Sequence, residues 1–271
     1  MKRPEGATRF LRTGILISLV VALVSCASQP TTPYPAFVSV PEIPDSFVAS
    51  LPGVRAKQLA GNSETRQSSQ LLTLPQDWSF TTGGFPDKSV EIYVIVGSIR
   101  LGGIDMAAGG YAYLPSGTAG LEMTTDGGAN ILYFLDDRSS KSVIQTPLIV
   151  NRDLMSWTSS DSIDGFGLSE KVLREDPGSG AKTWLLRVDP GADIPYQSAT
   201  VSEEGFLLEG SYRHAECVAG EAIAGDYQVG GYFRRPAGAV NGGPQSAALQ
   251  PSVWYLRRPA AGQAEIVSAC P

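Results

Sequence analysis

Residues 91–97 read EIYVIVG and residues 109–117 read GGYAYLPSG; residues 204–210 read EGFLLEG and residues 230–238 read GGYFRRPAG. In both pairs a Glu stands six positions before a Gly, and a Gly-Gly-Tyr stands before a Pro-x-Gly at one spacing. Only the middle differs. Gly97 to Pro115 is 18 positions and Gly210 to Pro236 is 26, so eight extra residues, among them His214 and Cys217, lengthen the second hairpin. Upstream, Val54, Lys57 and Leu59 followed by Leu71-Leu72 are echoed by Leu168, Lys171 and Leu173 followed by Leu185-Leu186. A self-similarity at this period marks an internal duplication.

Each copy is built from short alternating runs such as Val90 to Val96, Tyr111 to Leu114, Asn130 to Leu135 and Thr183 to Val188, separated by Gly, Pro and Asp. Period-two runs of four to eight residues bounded by turn residues predict strands, and no long 3.6-residue period competes with them. The expectation is an all-β chain of two jelly-roll units. Glycine at 30, proline at 19 and only 18% charged residues among 271 agree with a turn-rich β protein. A net charge of −6 and a pI near 4.9 exclude the basic footprint of nucleic-acid binding. One histidine in the chain removes the metal sites that take two or three imidazoles.

The amino terminus reads as an export signal, residues 1–25. Lys2, Arg3, Arg9 and Arg12 form a basic region, and Gly14 to Val24 (GILISLVVALV) is apolar but too short to span a bilayer. Leu23-Val24-Ser25-Cys26 resembles a bacterial lipobox, which implies lipidation of Cys26, cleavage before it and stable membrane anchoring. Ala27 instead of Asp implies the outer membrane, facing the periplasm, in a Gram-negative cell. Cleavage leaves 17 Lys and Arg against 26 Asp and Glu, net −9. Residues 26–50, with five prolines between Ser28 and Ser46, read as an extended tether. The two remaining cysteines, Cys217 and Cys270, read as a disulfide in an oxidising compartment, worth about 4 kcal/mol on the chain-entropy picture.

The paired motifs resemble the cupin superfamily, whose first motif carries two histidines, a Glu and a Gly, and whose second carries Gly, Pro-x-Gly and a histidine. Two copies imply a bicupin, with residues 51–150 and 151–271 as its two double-stranded β-helix barrels. GAKTWLLRVDPG (180–191) and GGYFRRPAG are similar to the ChrR-like bicupins. The metal histidines of that superfamily fall here on Gly84, Pro86 and Gly120 in the first half and on Gln197, Ala199 and Asn241 in the second. Glu91 and Glu204 alone survive, too few ligands for Fe, Mn, Ni or Zn, and no cofactor is expected.

The candidate ligand-binding residues are Glu91, Glu204, Asn241 and Tyr93; the two carboxylates read either as groups inside the barrel mouths or, the preferred reading, as relics hydrogen-bonded to a neighbouring backbone or Arg. No catalytic or metal residue is assigned. His214 is expected to be solvated in the long hairpin, and the remaining tyrosines and tryptophans to pack the barrel walls. The expectation is a lipid-anchored, non-enzymatic bicupin of the cell envelope, binding a small molecule or an envelope protein. A metal-independent isomerase or hydrolase using Glu91 or Glu204, and a purely structural envelope lipoprotein, are the alternatives.

Overall fold

The computed structural model describes residues 34–48, 50–62, 64–160, 166–262 and 264–271. Cys26 and the expected export signal lie outside them, as does the part of the expected tether ahead of Tyr34. Among the described residues the regular structure is strand, with two short 3-10 turns at Val40–Glu42 and Arg152–Leu154 and no α-helix. The prediction of an all-β chain of two jelly-roll units holds.

In the first half one sheet runs Gly110–Leu114, Lys88–Leu101, Ala129–Asp137, Gln67–Leu74 and Arg55–Asn62, all antiparallel neighbours. Trp78–Thr82, Leu121–Thr125 and the end of Lys88–Leu101 with Ile104–Ala107 close the barrel's other side. The second half repeats the sheet as Gly231–Arg235, Glu203–Glu209, Ser252–Arg258, Lys182–Val188 and Leu168–Glu175. Its opposing sheet carries Glu221–Gln228, Ser211–Val218, Val240–Asn241 and Gln197–Ala199. The extra residues of the second copy extend that first hairpin.

The repeated glycines have a steric reason. Gly97 has φ +82° and a Cβ there would overlap the Gly128 carbonyl; Gly210 has φ +83° and would overlap the Pro251 carbonyl. Both conditions demand glycine.

Strand alternation sorts side chains into three cores. Val90, Ile92 and Val94 point into the first barrel with Leu72, Leu114 and Ile131. Leu207, Trp184, Leu186 and Trp254 fill the second barrel. The opposite faces of the two large sheets meet in a seam that holds Tyr93, Tyr111, Phe134, Leu185, Phe206 and Tyr255. Tyr255 lies 5.1 Å from Tyr93 and 5.7 Å from Phe134, centroid to centroid, in the second case stacked at 7°. Each ring buried this way contributes about 1.5–3 kcal/mol by removing apolar surface from water, so the two barrels share a hydrophobic core.

Part of the expected tether belongs to the fold. Val38–Ser39 adds to the edge of the second half, with Val38 opposite Tyr232 and Ser39 opposite Gly231. Ser46–Phe47 then pairs with Ala56 and Arg55 of the first half. Between the halves the chain does the converse: Val150 and Asn151 pair with Tyr111 and Gly110, and Thr158–Ser159 pairs with Glu170 and Ser169. Each copy therefore lends its leading strand to the other copy's Gly-Gly-Tyr strand. The prolines at 41 and 44 punctuate this segment without keeping it free. The Cα atoms of Cys217 and Cys270 are 5.5 Å apart, within reach of a disulfide.

Candidate functional site

Glu91 does not enter the mouth of its barrel. Within Lys88–Leu101 it shares its face with Tyr93, and that face looks across the seam. Tyr111 donates to its Oε1 at 2.5 Å and the Thr183 hydroxyl donates to the same oxygen. Arg257 and Arg174 stand 3.3 and 3.6 Å from Oε2. Burial raises this carboxyl, but the two arginines and the two hydroxyls outweigh it and hold Glu91 below its usual range. It has no exposed surface. Tyr93 is buried on the same face, and burial pushes its phenol up to about 12.

Glu204 occupies the equivalent seam position, accepting from Ser69 at 2.7 Å and Tyr232 at 3.2 Å. The barrel-mouth reading is therefore corrected for both repeat glutamates: strand parity turns them toward the partner barrel.

The neighbour of Glu204 takes the interior position instead. Glu203 lies opposite Arg235 across Glu203–Glu209 and Gly231–Arg235, and its Oε1 accepts from Arg235 Nη1 at 2.8 Å. Arg258 Nε donates to its Oε2 at 2.8 Å. On the opposing sheet Tyr212, His214 and Glu216 share the inward face of Ser211–Val218. Arg235 Nε and Nη2 donate to Glu216, at 2.8 Å for the shortest contact. Arg235 Nη2 also lies 2.7 Å from His214 Nε2. Tyr34 donates to Glu216 Oε2 at 2.7 Å, so the segment ahead of the first barrel reaches into the second. Burial works against the Glu216 carboxylate, yet Arg235 and His214 hold it far below its usual range.

His214 is buried, its ring stacked on Phe233 at 5.9 Å and 6°; it is not the solvated loop residue expected. Its Nε2 also lies 3.2 Å from Glu216 Oε1, so the ring stands between that carboxylate and Arg235. Asn241 is also buried, and its Nδ2 donates to the Gln197 carbonyl at 3.2 Å while its Oδ1 has no partner. These groups and Glu203 line a cavity of about 40 Å³ whose remaining wall includes Leu186, Ile194, Phe233 and Trp254. The cavity offers an imidazole and one unpaired amide acceptor among apolar side chains, suited to a small neutral molecule.

The positions where cupins carry metal histidines do converge. Gly84 and Gly120 approach closely, a Cβ on Gly84 lying 3.1 Å from the Gly120 nitrogen. Gln197 and Asn241 are paired across their strands. Neither pair supplies imidazole. The second barrel's own donors, His214, Glu203 and Glu216, all converge on Arg235, a permanent cation that would repel a metal ion. Among the described residues no group of three His, Cys, Asp or Glu side chains is arranged to hold one. This donor set does not fit a transition metal ion.

From sequence, Glu203, Glu216 and Arg235 take no site role and His214 is placed in solvent; the structure brings all four together inside the second barrel. The spacing of Tyr212, His214 and Glu216 at alternate positions was the signal available.

A family model described as a domain of unknown function, DUF4437, matches residues 51–263. Among solved structures, a candidate dioxygenase from Nostoc punctiforme is 19% identical, covers 86% of each chain and superposes with a TM-score of 0.67. Ylba from E. coli, of family DUF861, is 18% identical over 82% of this chain and 89% of its own, with a TM-score of 0.63. Oxalate decarboxylase from Bacillus subtilis is 14% identical over 85% of this chain and 78% of its own, with a TM-score of 0.59. At these identities the likeness shows the jelly-roll fold. No curated protein matches the sequence.

Proposed function

Since the chain belongs to the DUF4437 family, on a cupin scaffold of two tandem barrels, we propose that it is a lipid-anchored binding protein of the cell envelope. Its second barrel takes a small neutral molecule without a metal. The observation that carries this reading is the unpaired Oδ1 of buried Asn241, a residue that lines one cavity together with His214. A buried acceptor left without a donor costs about 1–3 kcal/mol, and a hydroxyl or amide of a ligand relieves that cost. The small cavity favours a compact compound over a large metabolite. The alternative of a metal-independent enzyme working through Glu91 or Glu204 is weakened by the sealed environment of Glu91.

The lipobox supports the anchor at Cys26, with the outer membrane as the address in a Gram-negative cell. The nearness of Cys217 and Cys270 supports a disulfide closing the long hairpin onto the carboxy terminus. Replacing Cys26 with Ser is expected to release the protein from membranes; retention in the membrane fraction overturns the anchor. Thermal shifts of the mature protein against small alcohols, amides and hydroxy compounds test the binding reading. Stabilisation that disappears in Asn241→Leu supports it, and stabilisation that persists unchanged places the site elsewhere.

A further inference from the structure

A second, larger space lies on the seam. It is a cavity of about 180 Å³, and residues of both halves wall it: Gln67, Tyr113 and Ser139 from the first, Arg174, Asp176 and Ser179 from the second. Arg174 is its central group. The side chain is 5% exposed and lies flat over the Tyr113 ring, 4.2 Å from its centroid. Of its five N–H groups, Nε donates to the Tyr111 hydroxyl at 3.2 Å. Its nearest carboxylate oxygen, on Glu91, is 3.6 Å from Nη2, beyond hydrogen-bond reach. The terminal nitrogens thus have no hydrogen-bond acceptor among the described residues, and a buried guanidinium in that state calls for one.

The charges decide what that acceptor is. The cavity's own lining carries the carboxylates Asp136, Asp137 and Asp176 against one cation, Arg174, and the adjoining cavity adds Arg138. Lys88 is committed to Asp137 and Arg257 to Asp136. The surplus within the lining is negative, which disfavours an anionic ligand despite the free guanidinium. Arg174 itself disfavours an ammonium, and no described cluster suits a metal ion.

What remains is a neutral ligand that accepts from Arg174 and donates to carboxylate and hydroxyl oxygens at once. Vicinal hydroxyls do both. The wall continues outward, because Ser89, Tyr113, Ser139 and Ser142 also line an adjoining polar cavity with Ser116 and Ser140.

We infer that the cleft between the barrels, with Arg174, Tyr113, Ser139 and Ser179 in its wall, binds a neutral polyhydroxylated compound, a sugar or sugar-like molecule. This site is separate from the cavity of the second barrel and stands without it.

The test is ligand-observed NMR and calorimetry on the mature protein with D-glucose, N-acetylglucosamine and trehalose, beside glucuronate and glucosamine as charged counterparts. At least one neutral sugar is expected to bind, with the charged analogues about tenfold weaker or worse. Ser139→Phe, a rim substitution outside the ion pairs, is expected to weaken binding by about tenfold or more, and Arg174→Met to abolish it. Since Arg174→Met removes a buried charge, circular dichroism must show a folded variant before its result is read; Ser139→Phe carries the test otherwise. Asn241→Leu is expected to leave sugar binding unchanged. Absence of binding by all three neutral sugars, preference for glucuronate, or indifference to Ser139→Phe overturns the inference.

Discussion

The two barrels share one strand order and differ in what fills them. The first packs Leu72, Val90, Ile92, Met123 and Ile131 around a single buried hydroxyl pair, Thr82 with Tyr133 at 2.9 Å. The second buries Glu203, His214, Glu216, Arg235 and Arg258 beside its aromatic cluster. Among the described residues of the first half, only Lys88 and Glu91 are buried and charged, and Glu91 serves the seam. One scaffold thus holds together in two ways. A filled apolar core carries no titrating group of its own. A buried ionic network adds little net stability, because desolvation offsets the attraction, but it fixes the positions of donors and acceptors around a cavity.

Acidification should separate the two most sharply. Glu216, Glu91 and Asp176 are depressed in the folded protein, Asp176 to about 2. A carboxyl held below its unfolded value stabilises the fold above that value and loses the contribution as pH falls through the folded one. Loss is therefore expected below about pH 4. Fluorescence of Trp184 and Trp254 in the second barrel should change at higher pH than that of Trp78 in the first. Coincident transitions would show that the shared seam, not the cores, sets acid stability.

Arg235→Met comes next in size. It leaves two buried carboxylates without their common cation, and urea unfolding should record a loss of about 3–5 kcal/mol. A change as small as that of a surface substitution would mean water already screens the network. Ile92→Ala in the first barrel should cost about 2–4 kcal/mol through lost burial and a residual void, with no effect on ligand binding in the second barrel. The smallest effect is expected from Tyr133→Phe, which strands the Thr82 hydroxyl for about 1 kcal/mol. A larger loss there would mark the first barrel as more dependent on polar contacts than its packing indicates.

Fold class was readable because glycine and proline act locally. Gly97 and Gly210 have the positive φ that their own turns impose, while the carbonyls that crowd them, of Gly128 and Pro251, come from far along the chain. The orientation of Glu91 was not readable, since alternation separates a strand into two faces without saying which one is the barrel interior. In Lys88–Leu101 the distinction is lost altogether, because the first seven residues are buried on both faces. His214 was expected in solvent and Glu216 was not singled out for a related reason: a polar residue on an inward face looks, in one dimension, like a polar residue on an outward one. Their common partner Arg235 is 19 residues or more away along the chain, beyond any local pattern. Asn241, chosen because it fills a histidine position, is the one candidate that lines the second barrel's cavity.

The reciprocal loan of leading strands has a consequence for how the chain can be assembled and cut. Val38 waits for Tyr232, so the earliest segment of the described fold cannot complete its pairing until nearly the whole polypeptide is available. A chain emerging amino terminus first from a translocation pore would hold the edge of Gly231–Arg235 open until that early segment folded back on it. A gene fragment beginning at residue 151 would never close that edge, and would carry an unpaired strand rim prone to self-association. The two halves are thus tandem in sequence but interlocked in space, and neither is a module that can be lifted out where the repeat begins.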